Sequence, residues 1–311
     1  MIPLLFALVG QAAAIQVQAR DVPCPVGGGT ARVYDKLSAN TAGGYDSDLA
    51  SYASGGGQWR AYSIATCDDN LFTLYGNDLE GVPAADLARL ATALTDAAKL
   101  VADPKAPEVW ERYRVAEALY RAWGRDEVFL GDLMVQASWT ARDAAVGYYE
   151  GLHGPTEARK LLDGGWEELK KPLSTADRKK VLYNMARVAH RGGWGAERDG
   201  LLAAFEAVEP PTEAERAALK RFRHMAGEVE PALQDAAIEH YVTALRSPVE
   251  HDEKVRVSYV LADLLRRRGR DREAVQLYFM VANDKEAPEE LRGMALFLAG
   301  PIADRLDPKT P

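Results

Sequence analysis

Residues Lys254 to Pro288 read KVRVSYVLADLLRRRGRDREAVQLYFMVANDKEAP. Val257, Leu261, Leu264 and Leu265 recur at helical spacing on one face, with small Ala262 among them. After Gly269 the rhythm resumes with Glu273 and Ala274, then Tyr278 and Val281. Arg266, Arg267 and Arg268 stand just before Gly269, where cations complement the negative end of a helix and glycine ends it. The stretch predicts two antiparallel helices. Small residues at 262 and 274 allow their backbones to approach closely.

The signature recurs upstream. Ala237, Tyr241 and Ala244 stand in the same relation as Ala274, Tyr278 and Val281. Weaker echoes lie at Glu157-Ala158 and at Ala196-Glu197. The successive alanines 158, 196, 237 and 274 are spaced by 38, 41 and 37 residues. The unit resembles a tetratricopeptide repeat, in which two interlocking small residues are followed four positions later by an aromatic, here Tyr278. That family repeats at about 34 residues, so these units are lengthened or degenerate. The resemblance implies a curved right-handed stack of helix pairs, with Ala237, Tyr241, Ala262, Ala274 and Tyr278 as its packing residues.

From Pro83 onward the composition turns to Ala, Leu, Glu and Arg. Helices are predicted over 84–102, 107–124, 127–150, 156–170, 175–191, 196–208, 213–229, 232–246, 252–268, 271–284 and 288–306. Proline and glycine mark the breaks, and Thr212 with Glu215 has capping-box spacing.

The chain has 311 residues, 47% hydrophobic and 27% charged, with a net charge of −8. Such an acidic chain is not expected to bind nucleic acid or anionic lipid, which both call for a basic surface. Pro3 to Val9 are almost wholly apolar, followed by Ala12-Ala13-Ala14 and Val17-Gln18-Ala19. This reads as a cleavable export signal cut after Ala19 or Ala14, although no Lys or Arg precedes it. The run is far short of the ~20 residues that span a bilayer. The expected address is periplasmic or secreted, and there an even pair of cysteines, Cys24 and Cys67, reads as a disulfide.

Residues 20 to 82 are rich in Gly, Ser, Thr, Tyr and Asp. Strands are predicted at Ala31–Leu37, Trp59–Thr66 and Phe72–Tyr75, between turns at Gly27-Gly28-Gly29, Gly43-Gly44 and Gly55-Gly56-Gly57. Cys24-Pro25-Val26-Gly27-Gly28, then Asp46-Ser47-Asp48-Leu49 with Tyr52, then Cys67-Asp68-Asp69-Asn70-Leu71-Phe72 resemble the head of the bacterial domain of unknown function 2225 family. Tyr259 to Tyr278 is also similar. The resemblance implies a zinc-ribbon-like head followed by helical repeats, and carries no settled activity. Gly27 and Asn70 stand where the ribbon would have its second cysteines. Two thiolates are left, too few for a tetrahedral zinc site. The resemblance therefore implies that Cys24 and Cys67 lie close together and form a disulfide in place of the metal clamp.

Motifs of catalysis are missing. The sequence has no H-E-x-x-H, no G-x-S-x-G and no phosphate loop, and its five histidines are not at metal-ligand spacing. No catalytic residue, cofactor or metal ligand is assigned. Asp46, Asp48, Asp68 and Asp69 read as solvated turn carboxylates rather than a calcium cluster. Arg266, Arg267, Arg268, Arg270 and Arg272, partly neutralised by Asp263, Asp271 and Glu273, read as a helix-end charge complement, as do Lys170, Lys171, Arg178, Lys179 and Lys180. Trp110, Tyr113, Tyr120, Trp123, Trp139, Tyr148, Tyr149 and Trp166 are expected mostly between helices, some on a concave face.

The sequence thus predicts a leader over 1–19, a disulfide-linked β-rich module over 20–82 and a helical-repeat domain over 83–311. The expected function is a non-catalytic scaffold of the cell envelope that binds a protein or peptide in its groove. The alternatives are a metal-dependent enzyme with its site between head and array, and a purely structural component.

Overall fold

The computed structural model describes residues 15–40, 42–54, 58–146 and 152–307. The apolar stretch at Pro3–Val9, the turn at Gly55–Gly57, and Tyr148 and Tyr149 lie outside them. The head opens with β1 (Ile15–Pro23) and β2 (Thr30–Ala39), an antiparallel hairpin. Next come β3 (Gly44–Tyr45), a single helical turn α1 (Trp59–Tyr62), the antiparallel pair β4 (Ile64–Thr66) and β5 (Thr73–Tyr75), and α2 (Gly76–Leu79). The boundary expected at 19/20 falls inside β1, where Ile15 to Ala19 pair with Tyr34 to Ala39.

The strand expected over Trp59–Thr66 is divided, because only Ile64–Thr66 is extended. Arg60 explains the division. Its side chain is 6% exposed, and it donates to the Ser51 carbonyl at 2.9 Å and to both Asp143 oxygens at 2.7 and 2.9 Å. That inward bidentate pair overrides the apolar alternation read from the sequence.

Among the described residues eleven further helices follow: α3 (Leu87–Ala97), α4 (Val109–Trp123), α5 (Glu127–Val146), then, after β6 (Leu152–His153), α6 (Gly154–Leu169), α7 (Thr175–Arg191), α8 (Gly195–Val208), α9 (Glu213–His224), α10 (Glu230–Ala244), α11 (His251–Arg267), α12 (Asp271–Asn283) and α13 (Glu289–Leu306). The chain is mainly helical, as expected. Starts and stops follow local chemistry. At the start of α9 the Glu215 N–H donates to Thr212 Oγ1 at 3.3 Å and the Thr212 N–H to Glu215 Oε2 at 2.7 Å, completing the capping box. Gly269 ends α11 with a φ of 72°, a conformation glycine adopts without strain.

One expected break is not there. Residues Met225–Val229 form a π turn that carries α9 into α10 without leaving helical geometry. Pro231 lacks an N–H and crowds the carbonyl four residues back, and the wider turn accommodates it. The turn also shifts the helical phase, so that Glu230, Leu233, Gln234, Ala237 and Tyr241 share one buried face.

Helices pack with sequence neighbours at α3/α4, α4/α5, α6/α7, α7/α8, α11/α12 and α12/α13. Among the contacts between helices far apart in sequence, α5 lies along α10 and also meets α9, and α6 meets α13. Ala237, Ala262, Ala274, Tyr241 and Tyr278 are all 0% exposed. Tyr113 and Tyr120 are core, Trp110, Trp123 and Trp139 pack against it, and Trp166 is exposed. Head and helices share one apolar core, in which Val33, Ile64, Phe72 and Leu74 join residues of α3–α5 and α10–α13. A second core serves α6–α9. The boundary expected at 82/83 therefore marks a change of secondary structure within continuous packing.

Candidate functional site

The two cysteine turns come together as the resemblance implied. Cys24 and Cys67 form a disulfide with Cα atoms 6.0 Å apart. Around it the turns clasp each other. Asp69 accepts from the Gly28 and Gly29 N–H groups at 3.0 Å each, Asp68 accepts from the Thr30 N–H at 2.9 Å, and Asn70 donates to the Val26 carbonyl at 2.7 Å. A side chain at Gly27 would start 2.5 Å from the Asn70 amide, so positions 24, 27, 67 and 70 converge. Cys24, Cys67 and Asp69 make the one cluster of possible metal ligands among the described residues. The sulfurs are bonded to each other and the carboxylate to backbone N–H groups, so the trio does not fit a metal as it stands.

Asp46 and Asp48 overturn the reading of solvated turn carboxylates. They are 2% and 0% exposed. The segment from Gly44 to Tyr52 folds back on itself, with the Asp46 N–H donating to the Ala50 carbonyl at 2.9 Å and the Tyr52 N–H to the Gly44 carbonyl at 2.8 Å. Leu49 takes a φ of 68° to close the turn, a conformation that costs a non-glycine residue about 1 kcal/mol or more. Gly44 pairs in parallel with Leu152, whose carbonyl any side chain at 44 would overlap. The loop is thus pressed between α5, α7, α10 and α11.

Arg142 of α5 is the centre of what holds it. Its Nη1 donates to Asp46 Oδ2 at 2.9 Å and to Asp48 Oδ1 at 3.0 Å, and its Nη2 to Asp48 Oδ2 at 2.5 Å. Its Nε and Nη2 also reach Glu230 Oε1 of α10, at 3.0 and 2.7 Å. Arg191, the last residue of α7, donates to Asp46 Oδ1 at 2.6 Å and stacks its guanidinium over the Tyr52 ring at 4.0 Å. The Tyr52 hydroxyl donates to Asp46 Oδ2 at 2.9 Å. Ser47 donates to Asp263 of α11 at 3.1 Å, and its carbonyl accepts from Tyr259 at 2.7 Å.

Arg266 and Arg267 complete the hub. They bind Asp263 at 2.6 and 2.7 Å, and Tyr278 donates to the same carboxylate at 2.8 Å. Their remaining donors reach the carbonyls of His190, Arg191, Gly192 and Gly193 at 2.6–3.2 Å. The expected helix-end complement is therefore present, but the helix end belongs to α7. Arg268 instead pairs at the surface with Asp235 at 2.8 Å, and Lys179 is buried against Glu215 at 2.9 Å.

Four carboxylates (Asp46, Asp48, Glu230, Asp263) meet four guanidiniums (Arg142, Arg191, Arg266, Arg267), so the interior is charge-balanced. Burial alone raises a carboxyl pKa, but Arg142 leads the charges that outweigh it at Asp48, held below the usual range, and at Glu230, held at about 2, while Arg266 and Arg267 hold Asp263 below that range. His190 goes the other way, lowered chiefly by burial. A neutral ring fits its contacts: Arg198 lies 3.3 Å from Nδ1 and Glu230 lies 2.8 Å from Nε2, so the proton sits on Nε2. Asp46 and Asp48 would hold a cation only by giving up Arg142. The chemistry of the hub is that of a lock between head and helices.

His240 forms a second polar clasp, with Nδ1 2.6 Å from Glu127 and Nε2 3.3 Å from Glu117. Burial opposes its charge, but the two hydrogen-bonded carboxylates prevail and raise its pKa. The stabilisation is complete below the unfolded value near 6.5 and is lost as pH rises through the higher folded value. His240→Gln is expected to cost about 1 kcal/mol at pH 6, less than a buried pair because Glu127 is partly solvated, and less at pH 9, where the ring has lost its charge. Urea midpoints at both pH values test this, and an equal loss at pH 9 would contradict it.

Two larger openings, each of about 740 Å³, lie one away from the hub and one beside it, the second lined in part by Gly193 and Arg266. One is rimmed by Asp126, Glu127, Asp132, Glu250 and Glu253 at the starts of α5 and α11. The other runs between the start of α8 and α13, with Trp194, Phe297, Pro301 and Ile302 inside it. Its rim carries two ion pairs, Arg159 with Glu197 at 2.7 Å and Arg305 with Asp271 at 2.9 Å. No helix among the described residues is long and apolar enough to cross a membrane. Sequence reasoning did not single out Arg142, Arg191 or Glu230; the available signal was a charge set into an apolar helical stripe, as at Arg142 and Asp263. The chain matches no protein-family model, no curated protein and no solved structure.

Proposed function

We propose that this chain is an exported, non-catalytic scaffold of the cell envelope that binds a protein or peptide partner. The observation that carries the reading is the groove between α8 and α13. Its apolar floor of Trp194, Phe297, Pro301 and Ile302 and its charged rim match the makeup of protein-binding surfaces. The tetratricopeptide-like character rests on the buried small residues and tyrosines of α10, α11 and α12. The lateral contacts of α5 with α10 and α6 with α13 make it a closed variant of such a stack. The kinship of the head to the domain of unknown function 2225 family rests on the convergence of positions 24, 27, 67 and 70.

A photo-crosslinking residue at Phe297, introduced in intact cells, tests the groove. The reading expects one defined adduct, lost when Arg305→Glu reverses the rim charge. Identical adducts from a crosslinker at exposed Leu37 would contradict it. Export draws support from the disulfide, which suits an oxidising compartment. Removal of a leader after Ala14 spares every described residue of β1, whereas removal after Ala19 deletes Ile15 to Ala19 from it. The mature protein is therefore expected to begin at Ile15. N-terminal sequencing checks this, and a mature chain starting at Arg20 would contradict the pairing of β1.

A further inference from the structure

A crevice of about 590 Å³ separates the head from the start of α4, and Arg32, Tyr34, Thr66, Asp68, Asp69, Lys105 and Arg112 line it. Arg112 is largely buried there, yet its partners are neutral. Its Nε donates to Thr66 Oγ1 at 2.8 Å and its Nη2 to the Ile64 carbonyl. No carboxylate pairs with it among the described residues. The buried arginines of the hub are the contrast, since carboxylates raise Arg142, Arg191 and Arg266 above the ordinary value. Burial pushes Arg112 down instead. The chain has 46 acidic and 38 basic residues, so acids are not scarce.

The surrounding donors repeat the pattern. Neither the Lys105 ammonium nor the Tyr34 hydroxyl has a hydrogen-bond partner among the described residues. Arg32 adds positive charge, with Asp21 as its exposed partner at 2.7 Å. The two carboxylates of the lining accept from backbone N–H groups, Asp68 from Thr30 and Asp69 from Gly28 and Gly29, and neither pairs with Arg112. A desolvated guanidinium is unfavourable without a counter-charge, and its flat fork suits a carboxylate or phosphate. We propose that this crevice binds an oxyanionic group, carboxylate or phosphate, with Arg112 as its charge partner and Lys105 and Tyr34 as further donors.

Thermal unfolding of the full chain, at fixed chloride and in a buffer free of oxyanions, tests the site with three probes. These are inorganic phosphate, citrate and a capped tetraglutamate peptide, and the tightest of them identifies the source as a free phosphate, a small carboxylate or an acidic segment. At least one is expected to raise the Tm saturably. Arg112→Gln and Lys105→Glu are each expected to weaken that probe tenfold or more, while the exposed remote Lys220→Glu leaves it within twofold. Lys105 is exposed, so its variant reports on the site even if Arg112→Gln folds poorly. No saturable shift with any probe, or unchanged affinity in Lys105→Glu, would overturn the proposal.

Discussion

Arg142→Leu is expected to leave the protein without a stable native state at 25 °C. The substitution strips the shared counter-charge from Asp46, Asp48 and Glu230, all buried. Removing one partner of a buried pair costs about 3–5 kcal/mol, and whole domains have only about 5–15 kcal/mol in hand. Three carboxylates share this one group, and although Arg191 still reaches Asp46 and Arg267 lies 3.8 Å from Asp48, the loss is expected at the top of the ~3–5 kcal/mol range or beyond it. Arg142→Lys keeps the charge but cannot reproduce the fork that grips Asp48 with two nitrogens, and an intermediate loss is expected. Circular dichroism during urea titration decides the matter. A midpoint for Arg142→Leu equivalent to within 1 kcal/mol of wild type would mean that the loop carboxylates do not need their arginine.

The second large effect is that of the disulfide. The Cys24→Ser, Cys67→Ser double variant is expected to lose up to about 4 kcal/mol, the chain-entropy value for a loop closed across a sequence separation of 43. For a chain of this size that corresponds to a fall in Tm of roughly 6–10 °C. The clasp of Asp69 on Gly28 and Gly29 and the apolar core shared with the helices remain, so the head is expected to stay folded. Thiol titration of the unfolded wild-type chain should find no reactive thiol before reduction and two after it. A Tm unchanged by the double substitution would remove the disulfide from the account of stability.

The helices were legible because their ends are written locally. Gly269, Pro248 and the Thr212–Glu215 pair all mark the boundaries that the structure has. The gap expected between 229 and 232 is not there because a π turn carries the helix across Pro231, and that choice depends on packing around Glu230. Ala237, Tyr241, Ala262, Ala274 and Tyr278, which the tetratricopeptide resemblance pointed to, are all fully buried. The hub was not legible. Asp46 and Asp48 lie in a glycine-rich stretch that reads as solvated loop, and Asp46 meets Arg142 across 96 residues and Arg191 across 145. Periodicity carries no information about such distant pairing. The loop turned inward because four guanidiniums face it from helices whose own carboxylates, Glu230 and Asp263, cannot neutralise them all.

The central claim is that the Gly44–Tyr52 loop and the helices around it open only as one unit. Native-state hydrogen exchange measures this directly at three amides whose bonds close the loop, those of Asp46, Leu49 and Tyr52. Their opening free energies are expected to equal those of the buried amides in α5 and α11. Exchange orders of magnitude faster at these three positions, with the helices still protected, would contradict it.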